Sequence, residues 1–241
     1  MALNLVILGP PGAGKGTQAE RFAREHGIPK VSTGDILREA VNGATPLGKK
    51  VKAVIERGEL VGDDLMIGIV RERLTRPDAL AGFVLDGFPR TAAQAAALDA
   101  ITASRGPVIC VEIQVPDEEL VRRVRARRVC DDCGANADAF EYLPGVLPPL
   151  CQNTDRCRAV GPKWVARSDD SELVVRERLK VYWRDTRPMI EYYSARPTFR
   201  AIDGKQAPEQ VREALVAAVA SALGQPASQL RSLAKNVGLQ A

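Results

Sequence analysis

The sequence predicts an α/β fold in which helices cover both faces of a parallel sheet of five strands. Five short apolar runs lack the polar alternation of a half-exposed strand, so each is typical of a strand buried on both faces. Charged, helix-compatible segments separate the runs, as the crossovers of a parallel sheet require. The chain has 241 residues and is 45% hydrophobic, enough for one core with smaller insertions. The predicted strands cover residues 3–8, 28–31, 83–86, 108–115 and 198–202.

Helices are predicted most clearly near the two ends of the chain. The first strand stops at a glycine- and proline-rich turn, residues 9–12, and a helix follows over about residues 15–26. The final helix ends at Gly224 and Pro226, which are typical stop signals. Its apolar residues recur at i, i+3 and i+4: Val211, Ala214, Leu215, Ala218, Val219, Ala222 and Leu223. Three residues of the tail keep helical spacing and indicate a docked extra helix: Leu230, Leu233 and Val237.

Two segments interrupt the alternation and predict insertions into the core. Residues 32–62 have no strand-like run but have apolar residues at helical spacing, so they predict a small helical insertion. Residues 124–167 hold four cysteines and several prolines and glycines, with little amphipathic periodicity. Because this segment is long and poor in apolar residues, it needs another source of stability, which a bound metal would supply. The predicted core then consists of residues 1–31, 63–123 and 168–241.

The composition excludes several classes of protein. Lys and Arg total 34 against 30 for Asp and Glu, and a net charge of +4 is too mild by itself to indicate nucleic-acid binding. His26 is the only histidine, which removes most histidine metal sites and Ser-His-Asp triads, and we expect it at the surface. Five cysteines, four of them within residues 130–157, are typical of a reduced metal-binding protein. No signal sequence or membrane-length apolar stretch is present, so we expect a soluble cytoplasmic protein.

A phosphate-binding loop is predicted directly after the first strand. Residues 9–15, GPPGAGK, fit the G-x-x-x-x-G-K core of the P-loop between a predicted strand and a predicted helix. Backbone N–H groups and the helix N-terminus can surround phosphate oxygens there, while Lys15 supplies a positive charge. Gly16 follows the lysine, so the hydroxyl that usually binds Mg²⁺ is displaced to Thr17 or replaced. A turn used only for chain reversal is the alternative, which the register of strand, glycines, lysine and helix disfavours.

These features and four further motifs resemble the adenylate kinase family, which moves a phosphoryl group between ATP and AMP. The resemblance covers residues 1 to about 224, and the DGFPR string at 86–90 is highly specific. It implies a P-loop core, a helical AMP-binding insertion at 32–62 and a lid at 124–167. The family's motifs appear in order as GPPGAGKGT at 9–17, STGD at 32–35 with Arg38, LDGFPR at 85–90 with Gln94, the arginine segment 123–128, and RSDD at 167–170 with Arg178.

The resemblance implies which residues hold AMP. Arg38 and Arg90 are suited to bidentate contact with its phosphate, and the Gln94 amide can donate to and accept from an adenine edge. The implied AMP-binding residues are Thr33, Arg38, Glu59, Leu60, Val61, Gly87, Phe88, Pro89, Arg90, Gln94, Arg167 and Arg178.

The resemblance also implies the ATP site and the catalytic groups. Arg123 and Arg127 are expected on one helical face, Asp86 is placed to hold Mg²⁺ through water, and Asp169 can orient an arginine. Fixed positive charges then stabilise the transferring phosphoryl group, without a covalent enzyme intermediate, and give ADP as product. We also expect the enzyme to be a monomer. The implied ATP-binding residues are Gly12, Ala13, Gly14, Lys15, Gly16, Thr17, Arg123 and Arg127. The implied catalytic residues are Lys15, Asp86, Arg90, Arg127, Arg167 and Arg178.

The cysteine cluster predicts a structural zinc site in the lid. Cys130 and Cys133 form a CxxC pair, and Cys151 follows after seventeen residues, as in a zinc ribbon. The fourth ligand is irregular: we favour Cys157 because thiolate is the better zinc ligand, with Asp155 as the alternative. Four protein ligands leave no open position for chemistry, so the role would be structural. Buried or free thiols are the remaining alternative, and the fifth cysteine, in the 108–115 run, is expected in the core.

Two other functions remain open at this stage. A kinase of the same family acting on UMP, CMP or GMP is the nearest, and Gln94 argues for adenine. A nucleotide-regulated nucleic-acid binder is motivated by the ribbon spacing and the basic segment 122–128. We expect no nucleic acid as a partner, because the arginines align with phosphate-transfer motifs and acidic pairs at 131–132 and 169–170 lie among them, and we expect no membrane. Arg122, Arg125 and Arg128 are interpreted as a solvated helix face.

Overall fold

The computed structural model describes residues 2–134, 136, 151, 154–161, 163–167, 169–228 and 230. Several features of the sequence lie outside these described residues. They are Ser168 of the RSDD motif, the proline- and glycine-rich residues 144–149, and Leu233 and Val237 of the tail.

The core contains the predicted parallel sheet of five strands, in the order β2-β3-β1-β4-β7. All five apolar runs form strands, and only the weak run 28–31 is displaced toward its C-terminal end. Two further strands pair antiparallel in the lid. The strands are β1 (Leu3–Leu8), β2 (Lys30–Ser32), β3 (Gly82–Asp86), β4 (Val108–Gln114), β5 (Val129–Cys130), β6 (Trp164–Val165) and β7 (Phe199–Asp203).

The central strand β1 shows why the sheet needs helices on both faces. Leu5 and Ile7 pack into one apolar cluster, while Val6 and Leu8 pack into another. Since successive side chains of a strand point to opposite faces, each cluster lies on its own face of the sheet. The absence of polar alternation in this run is therefore explained by burial on both sides.

Helices supply the outer layers of the core. Those that contribute to the Leu5 cluster include the first and last, and those that contribute to the Val6 cluster include the fourth, fifth and ninth. The chain also contains a 3₁₀ turn at Pro77–Ala79 and a π-helical segment at Tyr182–Thr186. The α-helices are α1 (Lys15–His26), α2 (Thr33–Asn42), α3 (Pro46–Glu56), α4 (Asp63–Leu74), α5 (Ala92–Thr102), α6 (Asp117–Ala126), α7 (Asp155–Val160), α8 (Glu172–Val181), α9 (Arg187–Ser194) and α10 (Pro208–Ala222).

His26 was expected at the surface, and that prediction is wrong. It is the last residue of α1 and only 4% exposed, with its ring stacked on Phe22 at a centroid distance of 3.9 Å. Its position four residues after Phe22 puts both rings on the buried face of the helix. Burial lowers the pKa of His26, despite the hydrogen bond between Nδ1 and the Phe22 carbonyl. The side chain therefore packs as a neutral aromatic group.

The sheet order creates a crevice at the carboxyl ends of two central strands. β1 lies between β3 and β4, and the chain leaves β1 toward β2 but leaves β3 toward β4. Ligands of open α/β sheets bind where neighbouring strands connect in opposite directions. The P-loop after β1 and Asp86 at the end of β3 therefore meet at this crevice.

The lid and the tail add small elements to the core. In the lid, β5 pairs with β6, and α7 begins after Thr154, whose hydroxyl accepts from the N–H of Cys157. In the tail, Leu230 is fully buried in the cluster that contains Leu5. Among the described residues, no helix is long and apolar enough to cross a membrane.

Candidate active site

The P-loop is a tight turn that lies against the core. Gly9 and Gly12 have φ values of 140° and 88°, which favour glycine. A Cβ at Gly9 would lie 2.6 Å from the Ile113 carbonyl oxygen, and one at Gly12 would lie 2.7 Å from Val124. Both glycines are therefore required by conformation and by space, which explains the composition of the motif.

Lys15 is held over the loop by the loop's own backbone. Its Nζ donates to the carbonyl oxygens of Gly9 at 2.7 Å and Pro10 at 2.9 Å. Burial lowers the pKa of Lys15 to about 8; the carboxylate of Asp86 opposes this shift, while neighbouring arginines add to it. A buried ammonium group with so little neighbouring negative charge binds phosphate oxygens strongly.

Asp86 lies against the loop at the end of β3. Its Oδ2 would be 3.3 Å from a Cβ built at Gly16, so the missing side chain at Gly16 lets the carboxylate approach. Asp86 and Thr17 both line the cavity above the loop, and their side chains carry a carboxylate and a hydroxyl. They are hard oxygen donors of the kind that Mg²⁺ prefers, so the residues fit this ion.

All eight residues implied for ATP line one cavity above the P-loop, which we call the P-loop cavity. The implied catalytic residues line it as well. The sequence-based predictions missed part of this wall, which comes from α1, from β2, from the lid, and from the turn after β7 together with the start of α10. A glycine directly after a strand of a parallel sheet was the available signal for the turn. The missed residues are Gln18, Lys30, Asn136, Gly204, Gln206, Pro208 and Val211.

A second cavity lies beside the helical insertion, and we call it the insertion cavity. It is lined by nine of the twelve residues implied for AMP: Thr33, Arg38, Glu59, Leu60, Val61, Gly87, Arg90, Gln94 and Arg178. Phe88, Pro89 and Arg167 do not line it. Phe88 is 1% exposed and packs in the core, because it follows a buried strand, and Arg167 faces the P-loop cavity instead.

The two cavities share a wall. Gly34, Arg38, Gly87, Arg90 and Arg178 line both of them. The tight turn at Gly87, with φ 80°, makes this wall thin, since a Cβ there would lie 2.9 Å from the Thr33 hydroxyl and 3.0 Å from Arg90. Phosphate groups bound in the two cavities would therefore meet at three guanidinium groups.

Arg90, in the shared wall, is crowded by other cations and short of counter-charge. Burial and then the neighbouring Arg178 lower the pKa of Arg90 to about 10. Within the described part of the chain, no carboxylate lies within ion-pair distance of Arg90, and its Nε donates to the Gly87 carbonyl at 2.8 Å. Burial likewise lowers the pKa of Arg167 to about 10, and its Nη2 donates to Asn136. An anion is the partner that such a cluster stabilises best.

Two buried aspartates after the lid orient other arginines. Asp169 accepts from Arg178 at 2.9 Å and lies 3.9 Å from Arg38, as its expected orienting role requires. Asp170 binds Arg127, with 2.7 Å between Arg127 Nε and Oδ2. Burial disfavours the charge of Asp169, but the arginines outweigh it, so its pKa lies below the usual value. The Arg127–Asp170 pair joins the two chain segments at the base of the lid.

Arg123 and Arg127 were expected on one helical face. The structure places Arg123 in the last turn of helix α6, which ends at Ala126, and Arg127 at its C-cap, where φ is helical at −59° and the chain leaves the helix with ψ 135°. Arg123 stays in the helix, 9% exposed, with its Nε donating to Glu119 at 2.7 Å. Both residues line the P-loop cavity.

Arg122 and Arg125 match the solvated-face interpretation, whereas Arg128 lies beyond the end of α6 and is half-buried. The side chain of Arg122 is 69% exposed and pairs with Glu119, and Arg125 lies 3.6 Å from Glu172. Arg128 donates to the backbone carbonyls of Arg125 and Arg127.

The Gln94 amide has fixed partners at both ends. Its Oε1 accepts from the backbone N–H of Arg90 at 2.8 Å, and its Nε2 donates to Asp63 at 2.7 Å. Each end keeps further capacity, one N–H and one lone pair, for a ligand in the insertion cavity.

The four lid cysteines converge on one point. The sulfurs of Cys130, Cys133, Cys151 and Cys157 all lie within 4.8 Å of one another. The Sγ atoms of Cys130 and Cys157 are 3.8 Å apart, and those of Cys133 and Cys151 are 3.6 Å apart. A tetrahedron with zinc–sulfur bonds of about 2.3 Å has edges of about 3.8 Å, so the sulfurs fit zinc. The alternative ligand Asp155 has a side chain that is 99% exposed and paired with Arg158. Cys110 is buried in the core, as expected.

Comparison with known proteins agrees with this geometry. The family model described as adenylate kinase matches residues 7–198. The chain belongs to the adenylate kinase family. The adenylate kinase of Archaeoglobus fulgidus is 48% identical over 204 residues, 84% of this chain and 91% of its own length. The adenylate kinases of Moorella thermoacetica, 45% identical over 92% of this chain and 98% of theirs, and of Rhizobium etli, 46% identical over 87% and 95%, are also similar. The protein is a phosphotransferase of the nucleoside monophosphate kinase type.

Proposed function

We propose that the protein catalyses reversible, Mg²⁺-dependent phosphoryl transfer from ATP to AMP, giving two ADP. The observation that carries the proposal is the shared wall, where Arg38, Arg90 and Arg178 face both the P-loop cavity and the insertion cavity. A transferring phosphoryl group spreads negative charge over its oxygens, and fixed guanidinium groups stabilise that charge without reorganisation.

In this proposal ATP occupies the P-loop cavity. Backbone N–H groups of residues 12–17 bind its phosphates, and Lys15 leaves its carbonyl partners for the β- and γ-phosphate oxygens. Arg123, Arg127 and Arg167 contribute positive charge from the lid side of the same cavity. Asp86 would hold Mg²⁺, directly or through water, and the ion would neutralise phosphate charge.

AMP would occupy the insertion cavity, with its phosphate toward the shared wall. Arg90 is the principal acceptor-phosphate ligand, because it is buried and has no carboxylate partner among the described residues. The Gln94 amide faces the base with one N–H and one lone pair. An oxygen of the AMP phosphate attacks the γ-phosphorus as the bond to the ADP oxygen breaks, so no enzyme group is modified.

The lid would close over ATP and exclude water, because water could otherwise accept the phosphoryl group. Its cysteines would hold a structural zinc through Cys130, Cys133, Cys151 and Cys157. We propose the division into a core, an AMP-binding insertion at 32–62 and a lid at 124–167 on this basis. We also propose a monomeric enzyme, and the cluster of thiols supports a cytoplasmic one.

The deciding experiment measures ADP formation from ATP with AMP, UMP, CMP or GMP as acceptor, in the presence of Mg²⁺. We expect kcat/KM to be highest for AMP. A preference for a pyrimidine nucleotide or GMP would contradict the adenylate assignment. Absence of turnover with every acceptor would contradict phosphoryl transfer itself.

A further inference from the structure

The carboxylate of Asp63 lies outside both cavities and binds the amide of Gln94, the side chain that would face the base of AMP. Asp63, the first residue of α4, accepts from Gln94 Nε2 through Oδ1 at 2.7 Å and from the Thr91 hydroxyl through Oδ2 at 2.8 Å. Thr91 is the N-cap of α5, and its oxygen also accepts from the backbone N–H of Gln94. Asp63 does not line the insertion cavity, so it can act on a ligand only through Gln94.

These contacts leave Gln94 one orientation of its amide. A backbone N–H can only donate and a carboxylate can only accept, so Oε1 must face Arg90 and Nε2 must face Asp63. A rotation by 180° would place Oε1 against the carboxylate oxygen and Nε2 against the N–H. Gln94 is 2% exposed, so water could not relieve either mismatch, and each would leave a buried polar group without a partner.

The fixed orientation discriminates between purine bases. On the edge formed by N1 and the 6-amino group, adenine presents an amino donor beside a ring-nitrogen acceptor, and a glutamine amide matches both at once. Hypoxanthine has nearly the same shape but presents its 6-oxo acceptor beside an N1–H donor on that edge, so it needs the amide turned over. We propose that Asp63 is a specificity-determining positioning residue, which locks the Gln94 amide in the orientation that accepts a 6-amino purine and rejects a 6-oxo purine.

This inference rests on the proposed function, because it assigns the base of the acceptor to the insertion cavity. Its test compares AMP with IMP, since the two differ at the 6-position edge and not in phosphate or ribose. In Asp63→Asn the side chain keeps its size, but its amide can offer a donor to Gln94, so the lock is weakened. We expect the ratio of kcat/KM for AMP to that for IMP to fall about tenfold, with a rise in the IMP rate itself.

Asp64→Asn is the matched control. Asp64 is exposed, lies in the same first turn of α4 and has the same charge, so its substitution removes the same favourable interaction with the helix dipole. We expect Asp64→Asn to keep the wild-type AMP to IMP ratio. If Asp63→Asn does not fold, Asp63→Ser serves instead, because serine suits a helix start but is too short to reach Gln94.

The outcomes separate this inference from the proposed function. An equal loss with AMP and IMP, or an unchanged ratio with lower thermal stability, would make Asp63 a structural tether only and overturn the inference. An IMP rate that does not rise above that of the wild type would overturn it as well. A wild-type enzyme that fails to use AMP would instead overturn the proposed function.

Discussion

The core and the lid supply charges to the same site but are stabilised by different means. In the core, Lys15, Asp86 and Arg90 follow strands buried between two apolar clusters. In the described part of the lid, the buried cluster consists of cysteines packed with Trp164. Apolar burial can fix the loops of a large sheet, whereas a segment with few apolar residues needs cross-links. The difference indicates that the core positions its groups before any ligand or metal is bound, and that the lid depends on its cysteine cluster.

The largest effect should follow removal of a core charge from the shared wall. Arg90→Ala should lower kcat/KM by about 10³-fold, because the phosphoryl group loses a fixed guanidinium while the surrounding backbone stays in place. The measurement is ADP formation with AMP and ATP, together with circular dichroism and thermal unfolding. Arg122→Ala, which removes an exposed arginine, is the control and should keep its activity. Arg90→Ala activity within tenfold of wild type would contradict the assigned role.

Breaking the cysteine cluster should affect the lid and spare the core. Cys157→Ser, or treatment with a chelator, should reduce bound zinc from about one ion per chain to a small fraction and lower activity. Metal analysis and a thermal melt check this, and the main unfolding transition of the core should remain. Cys110→Ala is the matched control, because that thiol packs in the core and should leave the metal content unchanged. Full zinc content in Cys157→Ser would show that another group is the fourth ligand.

A smaller effect should appear in the pH dependence of ATP binding. The pKa of Lys15 is lowered to about 8 in the ligand-free protein, so the ammonium loses its proton as pH rises through 8. Bound phosphate favours the charged form and raises this pKa, so ATP binding should take up a proton above pH 8 and almost none at pH 7. Calorimetry in buffers of different ionisation enthalpy measures that uptake. Equal proton uptake at pH 7 and pH 8.5 would contradict the shifted pKa.

The smallest effect should come from an arginine at the edge of the lid. Arg125 is exposed and forms only a 3.6 Å pair with Glu172. Arg125→Ala should change the free energy of unfolding by no more than about 0.5 kcal/mol and leave kcat within twofold. Chemical denaturation and steady-state rates check this expectation. A large loss of activity would mean that catalysis uses the charge of Arg125. The distinction between this exposed arginine and Arg127, which lines the P-loop cavity, would then be wrong.

The predictions from sequence succeeded where the pattern was local. The run 3–8 and the glycines after it predicted β1 and the P-loop, because burial on both faces and left-handed backbone each leave a clear signature in residue types. They failed where a side chain's direction depends on neighbours distant in sequence. His26 is 4% exposed and stacks on Phe22, although a histidine at the end of a helix suggested a surface position.

By itself, the sequence determined the α/β class, the P-loop, the family motifs and a cysteine set whose number and grouping suit a metal. Only the tertiary structure decided that the two cavities share an arginine wall, that the four lid sulfurs converge, and that Asp63 holds Gln94 across a gap of 31 residues. The physical reason is that hydrogen bonds and charge pairs act over a few ångströms. Residues far apart in the chain enter that range only when the packed sheet and helices bring them together.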